Sequence, residues 1–468
     1  MEDGYYAWMI VATALVLMMT TPALAFFYGG MTRTKSTLNM MMMSYTAMGA
    51  VGIAFVLWGW SMGWGGDGIG NGNGKLIASP LDTFGLMHVS SSNFVFVLFQ
   101  LTFAVITVAL ISGSIADRVK ISSWIVFSVL WVTLVYVVIA HNVWGGGWFY
   151  SHFPNLDYAG GTVVHINAGV AGGVLALVLG RRVGWPKNPG KPHNVTLTML
   201  GAGLLWFGWY GFNVGSIVFT AAGKDNPWDA VGNCKGDATC QFITQFTHET
   251  GVTFLNTTLA TMAAMLAWLA VERLLRGKAT SLGAASGVVA GLVAITPSCG
   301  SVNTLGALCV GAIAGAVCAV AIGLKYKLGL DDSLDVVGVH LTGGIIGALL
   351  IGFFGTVASP QGIDGLFPSG GGGLLYGGNA TLLWHQFLGV LFTIVWCGVV
   401  TAIIALLIKV TIGWRITADA EVEGIDVNEH GESAYDWGSG VTAGGLTALA
   451  ERPSLTRTTG GVATEVGA

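Results

Sequence analysis

The sequence has very little charge for its length. Only 9% of its 468 residues are Asp, Glu, Lys or Arg, whereas 53% are hydrophobic and the mean hydropathy is +0.70. A soluble domain carries roughly a quarter charged residues, so this chain cannot cover a water-facing globular surface. It also has no basic stripe, which excludes the electrostatic footprint of a nucleic-acid-binding protein. The missing charge indicates a protein whose surface faces lipid.

Cysteine is scarce as well, and no Cys-x-x-Cys-His sequence for covalent haem attachment is present. Four of the six cysteines lie in apolar segments, where Cys packs as a small hydrophobic residue. The other two, Cys234 and Cys240, share the segment 221–249, which we expect to be an external loop. An oxidising exterior permits a disulfide between them, with two free thiols as the alternative.

Eleven apolar runs are long enough to cross a bilayer, which takes about 20 residues. The start of the chain is acidic, whereas a signal peptide begins with positive charge, so we expect the first run to remain as a span. The predicted fold class is an all-α integral membrane protein with eleven transmembrane helices. The runs cover approximately 6–31, 38–63, 93–115, 122–142, 161–180, 195–220, 250–271, 281–299, 302–324, 336–357 and 382–408.

The basic residues are distributed very unevenly between alternate loops. Of the twenty Lys and Arg residues, fifteen fall in one set of loops, three in the other set and two in the tail. By the positive-inside rule, this bias predicts a multi-pass protein of the cytoplasmic membrane with its N-terminus outside and its C-terminus in the cytoplasm. We expect a membrane domain over 1–415, a cytoplasmic regulatory tail over 416–437 and a disordered, Gly/Thr/Ala-rich segment over 438–468.

Two histidines, His165 and His340, lie deep inside apolar segments. An ionisable side chain within the membrane is costly and indicates a functional site by default. Three interpretations are open: two separately satisfied polar residues, one neutral pair sharing a hydrogen bond in a narrow passage, or two axial ligands of a haem.

Each histidine ends a similar sequence motif, because Asp157 precedes His165 by eight residues and Asp332 precedes His340 by eight. The phrases fall on the fifth helix of each of two five-helix sets. Since five is odd, the second set must enter the membrane from the opposite side. This pattern predicts inverted repeats over about 6–180 and 195–357, with a site near the midplane and the helix at about 382–408 left over.

Aromatic residues and a serine lie near the predicted outer ends of three helices. Phe103 lies one turn after Phe99, Trp144 follows the fourth helix, and Ser216 lies near the outer end of the sixth. Interfacial belts and ordinary packing account for such residues without a ligand. The alternative is a cage in which ring faces hold a small ammonium-type cation and a hydroxyl accepts a hydrogen bond from it.

Several longer phrases occur in order from about residue 5 to residue 437. They are Phe26-Phe27-Tyr28-Gly29-Gly30, Ala140-His141-Asn142-Val143-Trp144-Gly145-Gly146-Gly147, Gly160-Gly161-Thr162-Val163-Val164-His165-Ile166-Asn167-Ala168-Gly169, Trp209-Tyr210-Gly211-Phe212-Asn213-Val214-Gly215-Ser216, Asp335-Val336-Val337-Gly338-Val339-His340, and Glu423-Gly424-Ile425-Asp426-Val427-Asn428-Glu429-His430-Gly431-Glu432-Ser433-Ala434-Tyr435. Together they resemble the ammonium transporter family (Amt/MEP/Rh), and most closely its bacterial Amt branch. The resemblance implies a homotrimer with one pore in each protomer, a transporter rather than an enzyme, and no cofactor.

The resemblance also assigns roles at the outer mouth of the pore. Phe103, Trp144 and Ser216 match the external ammonium recruitment site, and Phe103 and Phe212 match the two stacked rings that close the pore below it.

Below the gate, His165 and His340 match the twin-histidine pair of the pore and its proton relay, and Asp157 matches an acidic residue with a mainly structural role. The function implied is that ammonium binds outside, loses its proton, and ammonia passes. Because potassium cannot shed a proton, deprotonation supplies the selectivity.

A second function is open beside transport, namely an ammonium sensor with little flux. No signalling domain is attached to the matched region, and the set of pore residues is complete, which favours transport. The tail phrase resembles the segment through which family members respond to a PII-type signal protein, so we expect such a partner at the cytoplasmic face.

Overall fold

Apolar helices make up most of the structure, a computed structural model that describes residues 2–65, 74–219, 222–223, 226–356 and 372–435. Ten helices in these ranges are long and apolar enough to cross a membrane, and an eleventh apolar helix is shorter. The predicted all-α membrane fold is confirmed, because each of the eleven predicted spans overlaps one of them. They are α1 (Asp3–Met31), α2 (Thr34–Trp64), α3 (Ser91–Ile115), α4 (Ile121–His152), α5 (Gly161–Leu179), α6 (Val195–Val214), α7 (Ala238–Arg276), α8 (Ser281–Ile295), α9 (Thr304–Leu328), α10 (Val337–Phe354) and α11 (Ala380–Thr411).

Side-chain caps define where several of these helices begin. In lipid every backbone polar group must find a partner within the protein, and the first N–H groups of a helix have none in the helix itself. Asn194 supplies an acceptor to the N–H of Leu197 at the start of α6, at 2.8 Å. Thr280 does the same for Gly283 at the start of α8, at 2.9 Å. The polar residues between apolar runs therefore fix the helix starts.

The start of α7 differs from the prediction. The segment 221–249 was expected to be an external loop, but α7 begins at Ala238, so that expectation is wrong for its last twelve residues. A short helix, Pro227–Gly232, precedes it. Polar residues at the start of α7 concealed it from a hydropathy pattern, yet they are bonded within the protein, as Gln241 Nε2 is to the carbonyl oxygen of Gly223 at 2.9 Å. The sulfur atoms of Cys234 and Cys240 are bonded and tie this segment to the first turn of α7.

Helices α5 and α10 approach each other closely at the centre of the molecule. Each opens with a π-helical turn, Gly161–Ile166 in α5 and Val337–Leu341 in α10, and the two turns contact each other. A Cβ atom on Gly169 would overlap the backbone of Leu341. Glycine at this position therefore allows the close backbone approach that small residues provide in membrane proteins.

Buried ion pairs hold together the end of the molecule at which α10 begins, which we call the Asp332 end; the opposite end, where α5 begins, is the Asp157 end. Arg182 bonds Asp331 at 2.8 Å and Asp117 at 3.1 Å. Neither Arg118 nor Arg182 lies on an open loop surface, because their side chains are 0% and 7% exposed. The loop arginines thus act as buried links between helix ends.

The chain after α11 folds back onto the same end. The Asp426 carboxylate accepts hydrogen bonds from the N–H groups of Leu38 and Asn39, at 3.0 and 2.8 Å, and so caps the start of α2. Glu421 accepts a bond from the Val183 N–H at 2.6 Å and pairs with Arg415. The predicted tail is thus folded over residues 416–435, and the rest of it, 436–437, lies outside the described residues together with 438–468.

Candidate functional site

A cavity of about 200 Å³ opens at the Asp157 end. The three predicted recruitment residues, Phe103, Trp144 and Ser216, all line it. The Phe103 and Trp144 rings meet edge to face with centroids 5.9 Å apart. Trp144 is held in place by its indole N–H, which donates to the Asp157 carbonyl oxygen at 2.7 Å. Ser216, which lies two residues beyond the end of α6, donates to the Phe212 carbonyl oxygen at 2.8 Å, so its own oxygen can still accept a bond from a ligand.

Two stacked phenylalanines separate this cavity from the interior. The rings of Phe103 and Phe212 lie 4.0 Å apart at an interplanar angle of 10°. Both side chains are almost fully buried. Phe99, one turn before Phe103, packs against it at 4.8 Å. The stack is therefore a closed apolar partition.

The two histidines meet behind this partition. Their Nδ1 atoms lie 3.3 Å apart, and both side chains are buried. One proton between the two nitrogens satisfies this contact, so the arrangement suits a pair with one shared hydrogen bond. Trp209 stacks on the His165 ring at 5.4 Å. The pair does not fit a haem, because two metal–imidazole bonds of about 2 Å each would hold the nitrogens farther apart.

Small apolar cavities lead from the histidines to the Asp332 end. The first, lined by both histidines and Phe212, has about 10 Å³, which is room for about one water-sized molecule. The next shares His340 with it and is equally small. That cavity in turn shares Leu334 and Asp335 with a wider one of about 140 Å³ at the Asp332 end. Through the described part of the chain the passage is therefore narrow and interrupted rather than an open channel.

Asp157 builds the start of α5. Its carboxylate accepts bonds from the N–H groups of Gly160 at 2.9 Å, Thr162 at 2.8 Å and Val163 at 3.1 Å, and also from the Gly161 N–H and the Thr162 hydroxyl. Burial raises the pKa of Asp157, and these bonds, foremost that of the Thr162 hydroxyl, oppose the rise. With five donors for about four lone-pair sites, the carboxylate has no acceptor capacity left for a ligand.

Asp332 builds the start of α10 in the same way. It accepts bonds from the Ser114 hydroxyl at 2.9 Å and from the N–H groups of Val336 and Val337 at 3.1 and 2.8 Å. Each aspartate therefore fixes a π-helical turn that carries one histidine. This explains locally why the two matching phrases bring their rings together.

Polar residues that the sequence reasoning did not single out also line the cavity at the Asp157 end. Glu249 is 1% exposed and accepts bonds from the Tyr158 hydroxyl at 2.8 Å and from Gln245 Nε2 at 2.9 Å. Asn155 is buried, and neither polar atom of its side chain has a partner among the described residues. The position of Glu249 directly before a predicted apolar span could have identified it as a candidate site residue. It was not considered because residues 221–249 were assigned to a loop.

Comparison with known proteins extends these observations. Residues 7–435 match the family described as the Ammonium Transporter Family. An ammonium transporter of Mycobacterium tuberculosis (strain ATCC 25618 / H37Rv) is 48% identical over 469 residues, covering 93% of this chain and 91% of that protein. Among solved structures, Saccharomyces cerevisiae Mep2 aligns with a TM-score of 0.74 at 31% identity, covering 89% and 88% of the two chains. A protein named Sensor Amt Protein aligns with a TM-score of 0.76 at 25% identity, covering 92% and 100%. A chain with this passage and these relatives belongs to the ammonium transporter family.

Proposed function

We propose that this protein transports ammonium across the cytoplasmic membrane by binding it at the Asp157 end, removing a proton and conducting ammonia past the paired histidines. The observation that carries the proposal is a buried His165–His340 pair inside a water-sized apolar passage behind a stacked Phe103–Phe212 partition. A passage of that size and polarity suits a small neutral molecule.

Recruitment is the first step. Trp144 and Phe103 offer ring surfaces to a cation, and Ser216 offers a hydroxyl oxygen. A cation–π contact contributes about 0.5–2 kcal/mol, which is enough to hold a partly hydrated ammonium ion at the cavity. It is too little to bring the bare ion through the partition, since the idealised cost of moving such an ion into a medium of low dielectric constant is of order 20 kcal/mol.

Deprotonation resolves this conflict, because water in the outer cavity can take the proton and the ammonia that remains is neutral and escapes the cost. Beyond the partition His165 and His340 share one hydrogen bond, and burial opposes placing a charge on either ring. A neutral pair presents polar nitrogen atoms to ammonia without attracting cations. Potassium, which has no proton to lose, is excluded at the same point.

The direction of uptake follows from the basic loops. The Asp332 end carries Arg118, Arg182 and Lys325, and the positive-inside rule assigns such an end to the cytoplasm. The Asp157 end then faces outside, where ammonium is captured.

Currents from the reconstituted protein on a supported membrane test the proposal. We expect uptake after an ammonium jump, with a current if the removed proton also crosses, and neither after an equal potassium jump. Replacing both His165 and His340 by Ala is expected to alter this selectivity, whereas replacing the exposed His152 by Ala is expected to leave it unchanged. A wild-type protein without ammonium-dependent current or uptake contradicts transport, and an equal potassium response contradicts the deprotonation step.

A sensor with little flux is the second candidate, and the similarity to the Sensor Amt Protein is the observation that favours it. The two functions differ in turnover rather than in binding. Ammonium binding by the purified protein without uptake into proteoliposomes supports the sensor, and uptake that saturates with ammonium supports the transporter.

The family resemblance further supports a homotrimer with a PII-type partner at the cytoplasmic face. The ordered tail, fixed by Asp426 on α2 and by Glu421 on Val183, offers a folded surface at that end. Native mass spectrometry of the detergent-solubilised protein is expected to give three copies. Co-purification with the host's PII protein under nitrogen-replete conditions tests the partner, and its absence there contradicts the assignment.

A further inference from the structure

Two chemically different groups of side chains line the cavity at the Asp157 end. One group contains the recruitment residues already described. The other group comprises the carboxylate of Glu249 and the side-chain amides of Gln100 and Asn155. At about 200 Å³ the cavity has room for a cation together with several waters, so the second group needs an explanation of its own.

The two carboxylates that line the cavity differ in their remaining hydrogen-bonding capacity. Asp157 receives five donors and is saturated. Glu249 receives two, the Tyr158 hydroxyl on Oε1 and Gln245 Nε2 on Oε2. An ionised carboxylate offers about four lone-pair sites, so Glu249 keeps one on each oxygen.

Two amide side chains that line the same cavity as Glu249 have polar atoms without partners among the described residues. Gln100 Oε1 and both Asn155 Oδ1 and Nδ2 are buried without a hydrogen bond, on side chains that are 9% and 2% exposed. A buried polar atom without a partner is costly, and the two unpaired oxygens indicate a missing donor, while water can also accept from Nδ2. An ammonium ion, or waters around a monovalent cation, supplies such donors.

The charge balance of the cavity is consistent with such a ligand. Among the described residues that line the cavity there is no Lys, Arg or His. A buried ionised carboxylate that lacks a cationic partner in the protein is unfavourable unless it takes up a cation or a proton from solution. A cation from solution can therefore pair with Glu249 without competition from a basic side chain of the cavity lining.

We propose that Glu249, together with the side-chain oxygens of Gln100 and Asn155, forms a second cation-binding subsite in the outer cavity, beside the aromatic one. The subsite holds a small, partly hydrated monovalent cation by charge and oxygen ligation. It raises the local ammonium concentration at the partition but does not itself distinguish ammonium from potassium, which is left to deprotonation. This inference rests on the proposed transport function.

The first test compares E249Q with the matched control E272Q. Both change a buried glutamate of α7 to its amide, but Glu272 lies at the opposite end of the helix and bonds Thr280. Hydrogen bonds to charged groups imply a change of roughly tenfold to a hundredfold. We expect E249Q to raise the half-saturating ammonium concentration by at least about tenfold and E272Q to leave it within about twofold.

An unchanged half-saturating concentration in E249Q, with wild-type current or uptake present, overturns the subsite and leaves the transport proposal standing. A wild-type protein that shows neither current nor uptake is instead the failure of the transport proposal. Crystals of the wild-type protein soaked in thallium(I) acetate test the subsite without any variant. We expect an anomalous peak in contact with the Glu249 carboxylate, and a cavity with no peak there overturns the proposal.

Discussion

Changing Asp157 to Asn tests how strongly one carboxylate holds the start of α5. The substitution keeps the shape of the side chain but replaces one acceptor oxygen with an NH₂ group. In the wild type, Oδ1 accepts from the N–H groups of Gly160 and Gly161, and Oδ2 accepts from those of Thr162 and Val163. Whichever way the amide is turned, two backbone N–H groups face an NH₂ group and lose their acceptor.

The size of the effect follows from that count. A hydrogen bond to a charged acceptor contributes about 1.5–3 kcal/mol, so the loss of two bonds predicts a decrease of about 3–6 kcal/mol in the free energy of unfolding. The matched variant T162V removes only the hydroxyl donor and leaves four bonds to the carboxylate. It is expected to cost about half as much.

Detergent-solubilised protein titrated with a denaturing detergent measures both values. The expected order of stability is wild type, then T162V, then D157N, with ammonium current lost in D157N because His165 lies on the π-helical turn that the cap fixes. A D157N protein within about 0.5 kcal/mol of wild type, the usual range for a surface change, would refute the reasoning that the cap determines this turn.

Three further predictions concern other parts of the molecule. Burial alone would raise the pKa of Asp331, but hydrogen bonds and charge from Arg182 outweigh it and hold the pKa below the ordinary 3.8. The pair therefore stabilises the protein fully above about pH 4 and less as the pH falls through the lower pKa of the folded state. When the free energy of unfolding is measured at decreasing pH, D331N is expected to lack this acid-dependent decrease. Replacing Ser216 by Ala removes one acceptor for the cation and is expected to raise the half-saturating ammonium concentration about tenfold at similar maximal current. D426N disturbs the cap on α2 and is expected to speed limited proteolysis of residues 416–435, while E429Q, at an exposed position, leaves the cleavage rate unchanged.

The membrane fold can be predicted well from the sequence because every span must meet the same requirement. It needs about twenty apolar residues in a helix whose backbone polar groups are hydrogen-bonded within the helix itself. It fails at α7, whose first twelve residues include Gln241, Gln245 and Glu249. A hydropathy pattern assigns such polar residues to a loop because it contains no information about their hydrogen-bond partners. Those partners, the carbonyl oxygens of Gly223 and Val218 and the Tyr158 hydroxyl, exist only in the folded chain.

The same limit applies to charge. Arg118 and Arg182 were counted as basic loop residues when the orientation of the chain was predicted. The neighbouring sequence does not distinguish them from exposed arginines. In the structure Arg118 donates to the Asp331 carbonyl oxygen at 2.8 Å and to the Ser333 hydroxyl at 2.7 Å. Acids and bases from distant loops meet only after the helices pack, so sequence predicts which side of the membrane they occupy but not which partner they find.

The number of donors at each carboxylate bears on where the proton of ammonium can go. Protonating Asp157 would place a new O–H among five groups that already donate to it, so at least one of them would lose its acceptor and the start of α5 would weaken. Protonating Glu249 removes no existing bond, since each of its oxygens has one donor and one open site. Of the two acids that line this cavity, Asp157 is thus suited to fixing the helix that carries His165, and Glu249 is suited to exchanging a cation or a proton with the solvent side.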